Sequence, residues 1–286
     1  MGFITEEKAW FSPLQAMRRG KEPAVEREWL PFDMADAMEN GFACELSTRF
    51  ESPQGEEVRE MAVCASEDNS QHVLVGKHDR PVLIARPCGT SKKDKSFDIF
   101  VAGEGQPPVA LGPAFRLVHL KGSSTWELRG ACCAGCEYRC PAGKRPALHE
   151  ASRTLLRIKQ ERVSVGPGQC MSIVVAMPEQ GDTWCSKCSA SCGGHAADAS
   201  KAQRFATRRP KWSARLKSLT LEFKGRCNQA SEKNFQLTAN MTGEGSHEDV
   251  LLSFGKMASG EFCLDFRGAF GPVQAFATAL TTAHWH

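Results

Sequence analysis

The stretch FRGAFGPVQAFATALTTAHWH, residues 266–286, decides the fold because it predicts a helix with no charged side. No charged residue occurs from 268 to 283, and Pro272 stands where the first helical residue has no use for its N–H. A helix that is apolar on every side is buried in a core or in lipid. Crossing a bilayer takes about 20 apolar residues, more than this run supplies. We therefore predict a core helix, rather than a membrane anchor, that the rest of the chain surrounds.

Composition is compatible with such a core. The chain has 286 residues, 41% of them hydrophobic, and a net charge of only +3. Glu6, Glu7 and Lys8 interrupt the N-terminal segment, so it does not read as a signal peptide. Without an export signal, we expect the thirteen cysteines to be reduced thiols or metal ligands rather than a disulfide framework.

Short strand-like runs fill the chain from about residue 42 onward. Thirteen of them are bounded by turn residues: FACEL, EMAVCAS, QHVLVGK, PVLIAR, SFDIFVAG, FRLVHL, STWELRG, TLLRI, CMSIVVAM, LTLEF, FQLTA, VLLSFG and EFCLDFRG. Alternation is clear in Leu219, Leu221 and Phe223, and again in Phe262, Leu264 and Phe266. This pattern predicts an antiparallel barrel or sandwich. A barrel closed around the terminal helix explains why the helix is apolar on all sides, and we expect Phe276 and Leu280 inside it, with Phe223, Phe235, Phe254 and Phe266 among their neighbours.

The chain divides into two parts on this interpretation. Residues 1–41 are acidic, contain two proline breaks and predict an N-terminal extension with short helices, such as 32–40. Residues 42–286 form the barrel domain. Two cysteine-rich segments, near 130–150 and 180–200, interrupt the strand pattern and are interpreted as insertions.

Several segments resemble the tubby domain. LTLEFKGRCNQASEKNFQL and LLSFGKMASGEFCLDFRGAFGPVQAFATAL are similar to the two segments that close tubby and tubby-like proteins. GPGQCMSIVVAMP, residues 166–178, and LIARPCGTSKKDKSFDIFV, residues 83–101, resemble earlier strand units of that family. The resemblance implies a closed, mostly antiparallel barrel of twelve strands around a central C-terminal helix.

The same resemblance implies a function. Tubby domains bind phosphoinositides, chiefly phosphatidylinositol 4,5-bisphosphate, through a basic cleft and act as membrane-docked adaptors. We therefore expect a cytoplasmic, monomeric protein at the membrane periphery, with the nucleus as the alternative compartment and a protein cargo that the sequence does not specify. Lipid scramblases resemble tubby domains in fold and are a second lipid-related alternative.

The first basic segment, 77–95, is the candidate headgroup site. It holds six basic residues and two acids, and SKKDKS places three lysines on a turn between two strands. A bisphosphorylated inositol needs several Lys and Arg side chains that converge, and Arg adds bidentate geometry. In the family this loop supplies headgroup ligands, with a further arginine from a Gly-x-x-Arg-like segment that LGPAFRL resembles. The predicted ligands are Arg86, Lys92, Lys93, Lys95 and Arg116; the alternative is a solvated lysine turn.

A second basic segment, 201–226, carries nine basic residues and one acid, Glu222. RFATRRPKW interleaves arginine and lysine with Phe205 and Trp212. Such a run could face anionic lipid, where each basic residue contributes roughly 1 kcal/mol, or nucleic acid phosphate, or solvent. If the segment binds nucleic acid, this hypothesis predicts a transcription-linked protein.

Two cysteine clusters share the spacing Cys-x2-Cys-x3-Cys. CAGCEYRC and CSKCSASC each present two thiolates at a spacing that suits one zinc ion. If both clusters share a structural zinc, the ligands are Cys133, Cys136, Cys185 and Cys188. Cys140, Cys192 and His195 are second choices. An iron–sulfur cluster and incidental cysteines in exposed loops are the alternatives.

No catalytic constellation emerges from spacing. Cys227 and Cys263 fall in apparent strands, where cysteine packs as a small hydrophobe, and no histidine is paired with either by sequence. A phosphate-cradling glycine loop and a paired-carboxylate motif are both absent from the sequence. We therefore expect a protein that is not an enzyme.

Overall fold

The computed structural model describes residues 55–88, 95–102, 113–130, 153–178, 184–185, 202–223, 225–258 and 260–285. The N-terminal extension predicted for 1–41 and the first candidate strand, FACEL, lie outside these ranges. The boundary between extension and barrel domain therefore stays a prediction.

Most of the described chain is β-structure. The strands are β1 Gly55–Ala65, β2 His72–Val75, β3 Pro81–Pro87, β4 Phe97–Val101, β5 Phe115–His119, β6 Thr125–Gly130, β7 Arg153–Val165, β8 Gly168–Met177, β9 Trp184–Cys185, β10 Gln203–Thr207, β11 Lys211–Ser213, β12 Ser218–Thr220, β13 Phe235–Thr238, β14 Val250–Ala258 and β15 Glu261–Gly268. One α-helix, α1 Pro272–Leu280, and two 3-10 helices, Lys77–Asp79 and Thr281–His284, complete the described elements.

Within the described ranges, twelve of these strands form a closed antiparallel barrel. Each barrel strand, β1 to β8 and then β10, β13, β14 and β15, pairs with the next one along the chain. The ring closes where β1 pairs with β15, from Gly55 opposite Gly268 to Cys64 opposite Glu261. The predicted barrel is thus confirmed, and β9 and the β11–β12 hairpin lie outside the ring.

This simple strand order sorts the connections between two ends of the barrel. Because consecutive strands are antiparallel, successive connections alternate between the ends. The upper end, as we call it, carries the connections 66–71, 88–96, 120–124, 166–167, 208–234 and 259–260. The lower end carries 76–80, 102–114, 131–152, 178–202 and 239–249. Residues 88–95 of the first basic segment and 208–226 of the second therefore belong to connections of the upper end, and both cysteine-rich insertions meet the barrel at its lower end.

Helix α1 fills the barrel. All nine of its residues are buried, it begins at Pro272, and Phe276 and Leu280 share one core with the inward-facing strand residues. A barrel of about eight strands is just wide enough for its own side chains to fill, so twelve strands leave room that the helix occupies. Phe235, Phe254 and Phe266 belong to this core, as predicted.

The threonines in and after the helix do not disturb this apolar setting. The Thr278 hydroxyl donates a hydrogen bond to the Gln274 carbonyl at 2.8 Å, and Thr281 and Thr282 donate in the same way to the carbonyls three residues before them. A buried hydroxyl is costly without a partner, and each of these three has one within its own turn. The helix and the turn after it therefore carry these three hydroxyls into the core without leaving them unsatisfied.

A buried glutamine joins the end of the helix to the barrel wall. Gln160 of β7 accepts a hydrogen bond from the Trp126 indole at 3.1 Å and donates one to the Thr281 carbonyl at 3.2 Å. Its neighbour Lys159 is paired with Thr125, the first residue of β6. These bonds hold the C-terminal end of the helix at the upper end of the barrel.

The segment between β10 and β13 differs from the sequence-based expectation. We predicted a strand over Leu219–Phe223 in the barrel, but only Ser218–Thr220 is a strand, and it pairs with β11 in a separate two-stranded sheet. The barrel strand at this point is β10, five residues taken from the second basic segment. Phe223 lies against the outer face of β14, where its ring would be 3.3 Å from a Cβ added to Gly255. It is therefore not a neighbour of the helix.

Candidate functional site

Two of the predicted headgroup arginines lie on either side of one carboxylate. The register pairs Arg86 of β3 with Asp98 of β4, and Asp98 with Arg116 of β5. All three side chains point outward, since their neighbours along each strand, such as Ile99, face the core. Adjacent strands are about 4.8 Å apart, so the two arginine Cα atoms are roughly 10 Å apart. The barrel thus brings together residues that are distant in the chain.

Arg86 is held in place by two contacts. Its Nε donates a hydrogen bond to Gln71 Oε1 at 3.2 Å, and its guanidinium carbon lies 5.8 Å from the centroid of the Phe100 ring. Among the described residues, none accepts a hydrogen bond from its two Nη groups. The Nη edge of a guanidinium is the part that contacts a phosphate, so Arg86 is oriented and has donors to spare.

Arg116 is engaged differently. Its Nε donates to Asp98 Oδ1 at 2.6 Å, and both side chains are less than a fifth exposed, at 19% and 18%. The carboxylate of Asp98 therefore balances the positive charge of Arg116.

The row continues onto the next two strands, a feature that the sequence analysis missed. Arg129 of β6 is opposite Arg116, and Glu127 accepts hydrogen bonds from Arg129 Nη2 at 2.9 Å and from Arg157 Nε of β7 at 3.0 Å. We call these six residues the arginine row: Arg86, Asp98, Arg116, Glu127, Arg129 and Arg157. It holds four arginines and two carboxylates, which leaves it net positive. Alternation within TWELRG was the only sequence signal that these charges face outward.

The predicted lysines are partly placed. Lys95 lies two residues before β4, is half-buried and lies at the upper end beside the end of β3. Lys92 and Lys93 fall outside the described residues. The structure thus brings Arg86 and Arg116 together and sets Lys95 at the same end of the barrel, and the roles of all five ligands stay predictions.

The second basic segment is not one uniform surface. Arg208 donates to the carbonyls of Gly245 and Glu222 and to Gln236 Oε1, so it fastens three parts of the chain. Such a residue is structural rather than available to a ligand. Arg209, Lys211, Arg215 and Lys217 are the exposed basic residues that remain around the β11–β12 hairpin.

Arg226 closes the barrel seam. Its Nη2 donates to Asp265 of β15 and to the Met61 carbonyl of β1, and its Nε lies 4.0 Å from Glu60 Oε2. Burial raises the pKa of Asp265, and the Arg226 charge opposes that rise. Arg226 therefore binds both strands at the place where the ring closes, which is a structural role.

Nearby, Cys227 lies outside any strand, in contrast to the prediction, and packs on Gly255. Cys263 is in β15 and is buried, as predicted. A hydrogen bond between the two thiols lowers the pKa of Cys227, and the same bond together with burial raises the pKa of Cys263. Both residues pack the outer face of the barrel beneath the segment that carries Arg226.

The described residues include only one of the four cysteines of the predicted zinc site. Cys133, Cys136 and Cys188 lie outside them, and of Cys185 the backbone alone is described, in β9. The register pairs Cys185 with Arg153, the first residue of β7. The described ranges contain no group of three or more His, Cys, Asp or Glu that could hold a metal. The zinc site is therefore untested.

A pocket of about 630 Å³ also opens at the upper end. The end of the helix lines it together with the turns 66–71 and 259–260, and it presents Lys233, Lys256, Glu67 and Glu261. His72 lies in its wall, where burial and then the Lys233 charge lower its pKa to about 4. The pocket offers both signs of charge and a neutral imidazole, whereas the arginine row is net positive.

The geometry defines a class of protein: a closed antiparallel barrel, filled by its own C-terminal helix, with a net positive row of side chains across the outside of strands β3 to β7. Comparison with known proteins gives a family match for part of the chain. Residues 157–284 match the model of the Tub family, and this part of the chain is similar to that family. None of the helices in the described ranges has the length and hydropathy needed to cross a membrane.

Curated relatives agree with this assignment. The chain is 40% identical over 75 residues to Tubby protein homolog 1 of Caenorhabditis elegans, which is 26% of this chain and 17% of the relative. It is 42% identical over 77 residues to Tubby-like F-box protein 11 of Oryza sativa subsp. japonica and 38% identical over 78 residues to Tubby-like F-box protein 2 of Arabidopsis thaliana. Each of these matches covers 26% of this chain, and 19% and 20% of those relatives. The chain therefore matches about a fifth of the length of its curated relatives.

Proposed function

We propose that this chain is a non-catalytic adaptor that docks on membranes by binding a phosphoinositide headgroup of the phosphatidylinositol 4,5-bisphosphate type. The site consists of the upper part of the arginine row together with the 88–96 connection. Arg86, Arg116 and Lys95 supply donors from the described residues, and Lys92 and Lys93 complete the predicted set. The protein works at the cytoplasmic face of a membrane, and a protein cargo binds elsewhere on it.

The observation that carries this proposal is the fixed position of Arg86. Gln71 and Phe100 hold the guanidinium from one side, so little rotamer freedom is lost when a phosphate binds. Arg116 stands two strands further, across Asp98, at a spacing that suits two phosphates on one inositol ring. Charge-assisted hydrogen bonds of this kind contribute about 1.5–3 kcal/mol each.

Flotation with vesicles tests the proposal directly. We expect wild-type protein to bind phosphatidylcholine vesicles that contain phosphatidylinositol 4,5-bisphosphate more tightly than vesicles in which phosphatidylserine supplies the same total charge. Arg86→Ser combined with Lys95→Ser should weaken that preference by roughly ten-fold or more, since two charge-assisted contacts are lost.

The matched control is Lys77→Ser combined with Arg204→Ser, which removes two basic residues near the lower end. It should leave the preference for the phosphoinositide intact. Equal binding of wild-type protein to both vesicle types would contradict headgroup recognition. Soluble inositol 1,4,5-trisphosphate measured by calorimetry separates headgroup binding from general attraction to a charged surface.

A structural zinc held by Cys133, Cys136, Cys185 and Cys188 is part of the proposal for the lower end. Its support is topological: both insertions leave strands at that end, and β9 pairs with the residues that directly follow the first insertion. Metal analysis of purified protein should find one zinc per chain, lost on Cys133→Ser with Cys185→Ser. Protein without zinc would contradict the site.

Nucleic acid is the second candidate partner, through the exposed basic residues near β11. Binding to duplex DNA that falls steeply with salt, with no lipid preference, would favour it.

A further inference from the structure

The β11–β12 hairpin is docked firmly on the tip of the β7–β8 hairpin. Trp212 and Leu219 are opposite each other across β11 and β12. Both pack where the neighbouring tip has no side chain: a Cβ added to Gly168 would lie 3.1 Å from Leu219 Cγ and 3.3 Å from Trp212 Cζ3. The Trp212 Cβ also lies 3.5 Å from the Cβ position of Gly166. The two glycines thus form the seat of the hairpin.

The turn of the hairpin is well defined. The Leu216 amide donates to Ser213 Oγ at 3.3 Å, the Thr220 hydroxyl donates to the Lys211 carbonyl at 3.1 Å, and Lys217 adopts a left-handed conformation with φ of 49°. This turn displays Leu216 at its apex with 58% of its surface exposed. A large apolar side chain is therefore presented to solvent by a fixed turn rather than by a loose loop.

The charges around the apex all have one sign. Arg215 and Lys217 flank Leu216, Lys211 begins β11, and no acidic residue occurs from 202 to 221. None of these three basic residues makes an ion pair with a residue in the described ranges. Trp212 is 37% exposed beside them. An apolar apex within a ring of cations, next to an amphipathic indole, is complementary to an anionic lipid surface.

The position of the hairpin fits the same surface. It belongs to the 208–234 connection at the upper end, and it rests on the tip of the β7–β8 hairpin. In that hairpin β7 continues past the start of β6 for about six residues, roughly 20 Å of strand. The connections between this hairpin and the arginine row carry further cations: Lys121 in 120–124 and Lys95 in 88–96. The hairpin and the phosphoinositide site therefore lie at the same end of the barrel.

We propose that the β11–β12 hairpin inserts Leu216 into an anionic membrane while Lys211, Arg215 and Lys217 contact lipid phosphates. The inference rests on the proposed function in that both sites act at a membrane. It adds a second, headgroup-independent contact. Nucleic acid is disfavoured because the exposed apolar side chain of Leu216 at the apex has no partner on a phosphate backbone.

The test uses co-sedimentation of the full chain with vesicles of phosphatidylcholine and phosphatidylserine, without phosphoinositide. Leu216→Asp should weaken binding by about ten-fold or more, the loss expected when one leucine no longer leaves water. Arg215→Ser with Lys217→Ser should weaken it by roughly 30-fold, at about five-fold per basic residue. Melting temperatures should match wild type, because all three side chains are exposed.

Each variant has a matched control outside the hairpin. Met241→Asp replaces another exposed apolar residue, 45% exposed, and Lys77→Ser with Arg204→Ser removes the same charge. Both controls should bind as wild type. If Leu216→Asp binds the vesicles as well as Met241→Asp does, the insertion of Leu216 is wrong. If the double variant at Arg215 and Lys217 binds as well as the double variant at Lys77 and Arg204, the hairpin is not the part of the protein that contacts the membrane. Salt-dependent DNA binding lost with Arg215 and Lys217, without vesicle binding, would also overturn it.

Insertion has its own signature. Vesicles with brominated acyl chains should quench tryptophan emission in wild-type protein and do so less in Trp212→Phe; no quenching would overturn insertion. Soluble inositol trisphosphate separates the two proposals. If it binds Leu216→Asp as it binds wild type, the headgroup site stands apart from the hairpin. If it binds neither while phosphatidylserine vesicles still discriminate between Leu216→Asp and Met241→Asp, the proposed function fails and the hairpin proposal survives.

Discussion

Helix α1 and the β11–β12 hairpin both present large apolar residues, but in opposite surroundings. The helix has no charged residue and is entirely buried, whereas the hairpin sets one leucine among cations and leaves it in solvent. The same residue type therefore has two uses. A large apolar residue in the helix stabilises the barrel. In the hairpin, such a residue adds nothing to the stability of the fold and is accessible to a partner. The contrast predicts that interior substitutions change stability and upper-end substitutions change binding.

The largest expected effect is on the helix. Phe276→Ala should lower the free energy of unfolding by about 3–5 kcal/mol, because it leaves a cavity at the centre of the barrel. Leu216→Ala should change it by less than about 0.5 kcal/mol. Denaturant titration of both variants tests the contrast. Equal effects of the two substitutions would mean that the helix is not central to the barrel.

The loss of stability at acid pH tests the interior at a second residue, His72. His72 has a folded-state pKa of about 4 against 6.5 for the unfolded chain, so the unfolded chain binds more protons between those values. The stabilisation is complete above pH 6.5 and is lost as the pH falls toward 4, by about 3 kcal/mol. His72→Gln, which cannot be protonated there, should lose less stability over this range. A difference between the two proteins that is constant with pH would contradict the burial of a neutral His72.

The barrel seam should show an intermediate effect. Arg226→Met leaves Asp265 without its cation, and since both side chains are partly exposed we expect a loss of about 2 kcal/mol rather than the larger loss of a fully buried pair. Adding Asp265→Asn should recover part of it, because the unpaired charge is then gone. Thermal or chemical unfolding of the single and double variants provides the measurement. A double variant no more stable than Arg226→Met would show that the ion pair between Arg226 and Asp265 does not itself stabilise the protein.

The smallest effect on stability is expected at Lys121, an exposed residue of the upper end. Lys121→Ser should leave the unfolding free energy within about 0.5 kcal/mol of wild type and weaken binding to phosphatidylserine vesicles about five-fold. Lys77→Ser, at the lower end, should do neither. Identical vesicle binding by the two variants would erase the distinction between the ends.

The interior was predictable from sequence because its signals are local. The uncharged run after Gly268 indicates a buried helix, and alternation in Phe262, Leu264 and Phe266 marks the inner face of β15. Alternation alone does not tell which surface is covered. Leu219 and Phe223 alternate equally well but pack on the outside, against Gly168 and Gly255.

Other features depend on strand register and could not be predicted from the sequence. Strand β10 has a polar sequence, and its place between β8 and β13 follows from pairing with them. The meeting of Arg86 with Arg116 across Asp98, and of Arg226 with Asp265, joins residues 30 or more positions apart. Basic composition identified the second basic segment, but it did not separate Arg208, which is structural, from Arg215, which is exposed.

The order of elements along the chain also governs how the protein is made. On the ribosome, all twelve barrel strands emerge before helix α1, and β1 waits for β15 to pair with it. Until the helix arrives, the inner faces of the strands enclose a space that their side chains do not fill. Exposed apolar strand faces of this kind are what chaperones bind and what aggregates. Helix α1, which follows all twelve barrel strands in the chain, is thus the element that completes the core, and a nascent chain stopped before Pro272 has strands to pair but nothing to close around.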